Sequence, residues 1–430
     1  MTTRREIVKA GAGLAAILAA GNAPAALVRS LVAARNTMTA GKRLPDYWGL
    51  TFVAKESGAT ITMATFGTPP SVSLETSTDG KTWEPFIVGT TLITLAHIGD
   101  YVFFRAGGAG TNTAFASDLS NYNYFAINGR VAASGDISSL LDNANTVTSL
   151  EGRPYAFACL FQWCTTLVST PVLPASTLSN GCYYEMFYRC EMLTSAPTLP
   201  ATVLAEDCYD LMFYWCISLK APPVLRATAL ERRCYYAMFF GCSSLTVAPA
   251  LPASILATEC YKYMFGYCDS LSTPPTILAE TMADYSCEYM FQNCTSLAIA
   301  PALPAENLAM NCYAEMFSGC TSLAVAPVLP ATTVKRACYK GMFRGCTSLV
   351  VAPELLSKTL IIQCYAQMFD NCSALASIKV HFETWSRQMT ANWVIGVPSS
   401  GRFICPVALS HSEVDYSESK IPPGWTVETF

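Results

Sequence analysis

A residue pair, Met-Phe in eight of its nine copies, recurs along this chain at a constant spacing of 26 residues. The first copy starts at Leu160 and the last at Met368, with no insertion or deletion between them. A cysteine lies four residues after the start of every pair, and a leucine lies three residues beyond that cysteine. Periods of about 20–50 residues are typical of solenoids and related arrays, in which each unit packs on its neighbours. The sequence therefore predicts nine stacked units.

Within a unit, the constant residues keep a helix-like spacing. Cys182, Met186 and Cys190 are four residues apart and Leu193 follows three residues later, which would place all four on one face of a short helix. Prolines recur in the stretch that follows, and proline cannot donate to a sheet, so we expect only a very short strand near residues 193–196. Each unit should run as helix, turn, brief strand and extended return, with its constant residues inside.

The repeat resembles a known family. The stretch "CYAEMFSGCTSLAVAPVLPATTV" (Cys312–Val334) is similar to the BspA-like leucine-rich repeats, which occur in surface proteins and in phage or prophage proteins of Bacteroidales bacteria. The likeness covers about residues 156–382. It implies a parallel-stacked leucine-rich-repeat solenoid with a role in adhesion and ligand recognition rather than catalysis, and it implies no particular ligand.

The segments on either side have a different texture. Residues 46–135 hold short alternating runs such as "ATITMATF" and "DYVFFRA", which predict a small antiparallel β-sandwich. We assign residues 136–382 to the solenoid with an N-terminal cap, and residues 383–430 to a C-terminal cap. The predicted fold class is therefore α+β.

One segment of the β-sandwich resembles a motif of an enzyme family. "STDGKTW" (Ser77–Trp83) looks like the Asp-box hairpin of sialidases, but it lacks one residue between Asp79 and Gly80. A β-hairpin with an Asp-Gly turn accounts for the same residues without any active site, and we favour that interpretation.

Residues 1–45 predict a hydrophobic N-terminal helix with two alternative roles. A paired arginine, Arg4-Arg5, precedes the apolar stretch Ala10–Ala20 and a small-residue site, a pattern typical of a twin-arginine-type export signal. Apolar residues at helical spacing continue beyond that site, which instead favours a retained helix that attaches the chain to a larger assembly.

Charge and hydropathy narrow the classes of partner. The net charge is −4, and residues 1–43 carry seven bases and one acid, or +6, so the remainder carries −10. Such an acidic body makes nucleic acid an unsuitable partner. Apolar residues make up 52% of the chain without any run of 18 that could cross a membrane. We expect the many apolar side chains to lie in a dense core or at the contacts of a homo-oligomer.

The nineteen cysteines admit two interpretations, a disulfide framework or buried ladders of reduced thiols. The first cysteine of the unit is missing from two units, while the second persists in all nine. If the two cysteines were disulfide partners, a unit that lacks one should also lack the other. We therefore favour reduced ladders that act as small apolar residues. The cysteine spacing and the three scattered histidines indicate no zinc site, and we expect no metal and no cofactor.

No catalytic set of residues is recognisable, so we expect no enzyme. The positions that change between units instead carry many aromatic residues, and exposed aromatic residues in a continuous stripe mark a contact surface. The alternative is that these rings cover the core or pack on the β-sandwich. The candidate ligand-binding residues are Trp163, Tyr184, Tyr188, Tyr214, Trp215, Phe240, Tyr263, Tyr267 and Tyr289.

These features together predict a non-enzymatic recognition or adhesion protein. The favoured form is a phage tail-fibre-like virion component that binds a host cell-surface glycan or protein, attaches to the particle through its N-terminal helix and forms a homo-oligomer. The alternative is an exported bacterial surface adhesin with a cleaved twin-arginine-type signal, and a glycan-active enzyme is a third, less favoured class. The expected location is extracellular or on a virion surface, not cytoplasmic.

Overall fold

The computed structural model describes residues 47–108, 110–143, 147–411 and 419–430, so the predicted helix of residues 1–45 lies outside the described residues. The described part is mostly β with almost no helix, and its α-helix, α1, spans Val407–His411. Among the described residues the α+β prediction therefore holds for its β part, and little helix accompanies the strands. No helix in the described ranges has the length and apolarity needed to cross a bilayer.

The strands are β1 (Thr51–Ala54), β2 (Ala59–Phe66), β3 (Leu74–Ser77), β4 (Glu84–Phe86), β5 (Ile93–Leu95), β6 (Tyr101–Ala106), β7 (Ala116–Asp118), β8 (Asn121–Asn128), β9 (Val131–Ser134), β10 (Leu167–Ser169), β11 (Ser377–Lys379), β12 (Arg402–Cys405) and β13 (Thr426–Thr429).

The N-terminal β region consists of two sheets that pack face to face. One has the strand order β10-β9-β1-β6-β3-β4, and the other has the order β5-β2-β8-β7. The rings of Phe52 and Phe104 in the first sheet lie 5.0 and 5.3 Å from the ring of Phe125 in the second. This arrangement agrees with the predicted sandwich. Strand β10, which belongs to the first repeat unit, pairs in parallel with β9, so this sheet continues into the repeats.

Each repeat unit contains a ribbon of four-residue turns where a helix was predicted. In every unit the same three backbone positions are left-handed, for example Gly181, Glu185 and Arg189 with φ of 60°, 50° and 56°. An α-helix requires negative φ throughout, so the helix prediction is wrong. The prediction of which side chains face inward is nevertheless right. Turns of four residues place positions i, i+4 and i+8 on one side, much as helical turns of 3.6 residues do.

Hydrogen bonds alternate along this ribbon between two kinds of partner. The amide of Met186 donates to Tyr183 O in its own unit at 3.2 Å, whereas the amide of Phe187 donates to Met212 O of the next unit at 3.0 Å. The left-handed Glu185 likewise donates to Asp210 O of the next unit at 3.0 Å. Half of the ribbon's amides thus close its turns and half join neighbouring units, which stabilises a backbone conformation that isolated L-residues disfavour.

The constant side chains form continuous buried ladders. The ring of Phe187 stacks on Phe161 at 5.4 Å and on Phe213 at 5.6 Å, and the other Phe residues of the repeats continue the series. The ladder extends into the sandwich, where the ring of Phe125 in β8 lies 5.4 Å from that of Phe161. The repeated methionine and leucine positions are fully buried beside these rings, as Met186 illustrates. The prediction that the constant residues lie inside is confirmed.

The proline-rich returns carry almost no regular strand. Neighbouring units touch there through single parallel bridges, such as Ser195 to Ala221 and Ile299 to Val325. Among the described residues, longer pairing occurs only at the ends of the array, through β10 in the first unit and β11 after the last. The brief strand predicted at residues 193–196 is reduced to one bridging residue, because the flanking prolines lack the amide hydrogen that would extend it.

All nineteen cysteines are buried and present as free thiols. The second cysteine of each unit also has a polar role that sequence analysis missed. Cys190 Sγ donates to Phe161 O of the preceding unit at 3.1 Å, and the second-position thiols of the later units make the equivalent bond at 3.0–3.2 Å. Cys164 of the first unit donates instead to Phe125 O in β8, at 3.1 Å. Eight of these thiols therefore join two units, and Cys164 joins the first unit to the β region.

Both ends of the array are closed by flanking segments. At the N-terminal end, Asp136 bridges Gly49 and Val172 and accepts the Ser138 amide at the start of a short 3₁₀-helix. At the C-terminal end, β11, β12 and β13 form a parallel sheet. The sequence period stops near Phe382, but residues 388–395 still pair with the ribbon of the last unit. The Phe369 amide donates to Trp393 O at 2.8 Å, and the Asn371 amide donates to Ile395 O at 2.6 Å.

Candidate functional site

Eight of the nine candidate residues lie in one continuous row of touching rings, which we call the aromatic row. Its spine runs from Trp163 through Tyr188, Tyr214 and Phe240 to Tyr263 and Tyr289, with ring centroids 4.7–6.0 Å apart. Trp215 and Tyr267 flank the spine, 6.5 Å from Tyr214 and 5.1 Å from Phe240 respectively. The structure therefore brings these eight residues together.

The turn ribbon explains why these residues point away from the core. Trp215 and Tyr263 occupy left-handed positions, with φ of 56° and 58°, and Tyr214 occupies the position just before one of them. The inward positions of the same turns are taken by the cysteine, methionine and phenylalanine ladders. Residues at the left-handed positions lie outside the main core and vary from unit to unit, although Cys159, Ala237 and Ala337 among them are buried.

Rings stack face to face in two stretches of the aromatic row, Tyr188–Tyr214–Phe240 and Tyr263–Tyr289. Tyr214 lies between Tyr188 and Phe240, with centroids 4.9 Å away on either side and interplanar angles of 5° and 3°. Both faces of this ring contact protein, so only its edge and hydroxyl are left for other contacts. The most exposed rings of the row are Trp163, at 54%, and Tyr267, at 39%. The row therefore presents the edges of packed rings to solvent, together with the more exposed rings of Trp163 and Tyr267.

A cation and a glycine fix the indoles of the row. The guanidinium of Arg189 lies 4.7 Å from the ring centroid of Trp163 and 5.7 Å from that of Trp215, within the range of cation–π attraction. The Trp215 ring lies across Gly241 of the next unit, where a Cβ atom would come within 2.8 Å of the indole and where φ is +74°. Only glycine combines that close approach with that backbone conformation.

Tyr184 is the candidate that the structure places elsewhere. Its side chain is buried, at 9% exposure, and packs with Ala158, Cys159 and Ala116, the last of which lies in β7. This contact joins the second repeat unit to the β region. For Tyr184 the structure matches the alternative interpretation, in which an aromatic residue covers a domain contact.

A buried charged cluster lies at another changing position and was missed by sequence analysis. The side chain of Asp210 is fully buried, 2.8 Å from Arg233 in the next unit. Burial raises the pKa of Asp210 well above its usual value, and the charge of Arg233 opposes that rise. Lys262 lies 2.7 Å from Glu288 and 3.3 Å from Glu259. Asp210–Arg233 and Lys262–Glu288 join successive units, whereas Glu259 and Lys262 belong to the same unit. Opposite charges 26 residues apart, as at Lys262 and Glu288, were the signal in the sequence.

A polar pocket of about 360 Å³ opens where the aromatic row ends. Sequence analysis named only Tyr289 among its lining residues. The others are small or polar, and they replace the aromatic residues at the equivalent positions of the last units. Six residues that line it are Tyr289, Gln292, Glu315, Ser318, Arg344 and Asn371.

The segment that resembles a sialidase Asp-box forms a hairpin. Strands β3 and β4 pair antiparallel on either side of it, with Leu74 opposite Phe86. Asp79 Oδ1 accepts the amides of Lys81 and Thr82, each at 2.7 Å, and these bonds lower the pKa of Asp79. The carboxylate is thus used to hold the turn, which agrees with the hairpin interpretation.

Comparison with family models and with curated proteins identifies no relative. No established family model matches this chain, and no curated protein matches it significantly. Within the described ranges, no group of three or more His, Cys, Asp and Glu side chains is placed to hold a metal ion.

Proposed function

We propose that this chain is a non-enzymatic recognition protein, built as a BspA-like leucine-rich-repeat solenoid, that binds a cell-surface glycan or protein through the aromatic row. The resemblance of the repeat motif supports the family. Parallel bridges between neighbouring units and a fully buried leucine ladder, including Leu193 and Leu219, support the solenoid.

The aromatic row is the observation that carries this proposal. Its rings lie at positions that the core leaves free to vary, and they form a continuous surface over six units. Tyrosine and tryptophan offer large amphipathic contact areas with few rotatable bonds. Because stacking already holds the rings in place, a ligand would not have to order them, which lowers the entropic cost of binding.

Two settings fit this activity, and we favour the first. In the first, the protein is a tail-fibre-like virion component that is attached through residues 1–45 and forms a homo-oligomer. In the second, it is an exported adhesin from which a twin-arginine-type signal has been removed. Both place the aromatic row outside a cell. The intact mass of the protein from its native source separates them, because loss of the first residues rejects attachment through the N-terminal helix.

A cell-binding assay tests the recognition proposal. Full-length protein with a fluorescent tag is mixed with a panel of Bacteroidales cells, and bound fluorescence is compared for the wild type and the triple variant Tyr188→Ala, Trp215→Ala, Tyr267→Ala. We expect the triple variant to lose at least about tenfold in apparent affinity, the equivalent of about 1.4 kcal/mol. Treating the cells with periodate or with protease separates a glycan receptor from a protein receptor.

The matched control changes three exposed side chains on the bridge side of the repeats. Val247, Ile299 and Val325 are 48%, 59% and 55% exposed, and their replacement by serine should leave binding intact. Thermal melting identifies any variant that fails to fold, and the single variant Tyr267→Ala, at an exposed ring, then takes the place of the triple variant. Equal binding by the wild type and the row variant, or binding to no cell of the panel, would contradict the proposal.

A further inference from the structure

The pocket at the end of the aromatic row combines one aromatic wall with polar walls. Tyr263 stacks on one face of Tyr289 at 4.7 Å, and Tyr289 also lines the pocket. Equivalent positions in the next two units carry Glu315 and Gly341, so the row of rings ends here. Tyr289 is therefore both the last ring of the spine and a lining residue of the cavity.

The polar walls present hydrogen-bonding groups that are held in place. Glu315 is only 5% exposed, and Glu315 and Ser318 both line the cavity. Burial raises the pKa of Glu315, while a hydrogen bond from Ser318 and the charge of Arg344 oppose that rise. Gln292 and Asn371 add amide donors and acceptors. Such groups suit a ligand that offers several hydroxyls in fixed directions.

The charge of the pocket argues against an anionic ligand. Arg344 is the only cationic residue among those that line it. Its guanidinium lies 3.3 Å from Asp370 and 3.9 Å from Glu315, so two carboxylates flank one cation. A carboxylated, sulfated or phosphorylated ligand would have to displace one of these partners and would meet a formal charge of −1.

We propose that this pocket binds one neutral sugar residue of a glycan, with the sugar against the Tyr289 ring and its hydroxyls bonded to Glu315, Arg344 and Asn371. This inference rests on the proposed recognition function and narrows its ligand to a neutral saccharide. An aromatic ring matches the apolar face of a sugar, and planar polar side chains match its hydroxyls.

The repeat itself suggests a variant that fills the pocket. The substituted residue would adopt a backbone conformation that tyrosine already has in another unit. Gly345 lines the cavity in a left-handed conformation, with φ of +71°, and the nearest atoms to a Cβ there are 3.7 Å away. Tyr267 occupies the equivalent position three units earlier with φ of 58°. An asparagine occupies that position in the next unit in both cases, Asn293 after Tyr267 and Asn371 after Gly345. Gly345→Tyr therefore repeats a combination that the chain already contains.

The test is binding of the full-length protein to an array of neutral, sialylated and sulfated glycans, followed by calorimetric titration of the glycans bound. We expect binding to at least one neutral glycan and a loss of tenfold or more in affinity, about 1.4 kcal/mol, for Gly345→Tyr. Glu315→Gln keeps the wall's shape and should weaken binding less. The control Thr273→Tyr adds the same ring at an exposed position on the bridge side and should bind as the wild type does.

Three results would overturn the inference: binding confined to sialylated or sulfated glycans, neutral-glycan affinity unchanged in Gly345→Tyr, or no glycan bound at all. The cell-binding assay separates this failure from failure of the recognition function. If Gly345→Tyr binds cells as well as the wild type while the aromatic-row variant does not, the pocket inference fails and the recognition proposal stands.

Discussion

At the scale of single residues, the second cysteine of each unit has a role that a small apolar residue could not fill. Its thiol donates to the phenylalanine carbonyl of the preceding unit, as Cys268 does to Phe239 O at 3.1 Å. That carbonyl also accepts the Cys242 amide at 3.1 Å, so the thiol supplies its second hydrogen bond. This explains why this cysteine persists in all nine units, whereas the first cysteine is replaced in two.

A pair of matched substitutions measures that bond. Cys268→Ala removes a buried thiol and its bond to Phe239 O, whereas Cys260→Ala removes an equally buried thiol of the first-position ladder. We expect Cys268→Ala to lower the free energy of unfolding by about 0.5–1.5 kcal/mol more than Cys260→Ala does. Chemical denaturation of both variants gives the comparison, and equal losses would mean that the second-position thiol acts only by packing.

The residue scale also shows what sequence analysis could and could not reach. The candidates Tyr188 and Tyr214 were found because aromatic residues recur at changing positions of an otherwise constant unit. The pocket residues Glu315 and Arg344 were passed over, because single polar residues carry no such signal until stacking brings them together. Tyr184 was included with the row because periodicity alone does not distinguish a solvent-facing position from one covered by the β region.

At the scale of the element, spacing predicted which side chains face inward but not the backbone that carries them. A period of four residues suits both an α-helix and a ribbon of four-residue turns. What decides between them is hydrogen bonding to the neighbouring unit, as from Phe187 to Met212 O, and a single unit does not contain that partner. The β region was easier to predict, because period-two alternation and Asp-Gly turns are local signals.

Because each unit packs chiefly on its two neighbours, the array should tolerate the loss of one whole unit. Deleting residues 299–324 removes 26 residues and joins Ala298 to Val325, which preserves the register of every ladder. We expect this variant to fold and to melt cooperatively at a somewhat lower temperature. Deleting residues 299–311 shifts every later rung by half a unit and should prevent folding. Circular dichroism melting compares the two, and comparable stability of both deletions would contradict stacking in register.

At the scale of the whole molecule, the ladders run through the repeats and are closed at both ends. Phe125 of the β region covers the first phenylalanine rung, and Trp393 lies 5.9 Å from the last one, Phe369. The cysteines lie within this closed interior, where burial raises their pKa, to about 12 for Cys182 and Cys312. A thiol that is buried and protonated does not react as a nucleophile.

The central claim is that the constant residues of all nine units form one dry interior and leave recognition to the positions that vary. Counting reactive thiols tests it most directly, with a disulfide-exchange reagent applied to the native protein at mildly alkaline pH and then in guanidinium chloride without any reductant. We predict no reactive thiol in the native protein and nineteen after unfolding. Rapid reaction of the folded protein, or fewer than nineteen thiols in the unfolded chain, would contradict the account.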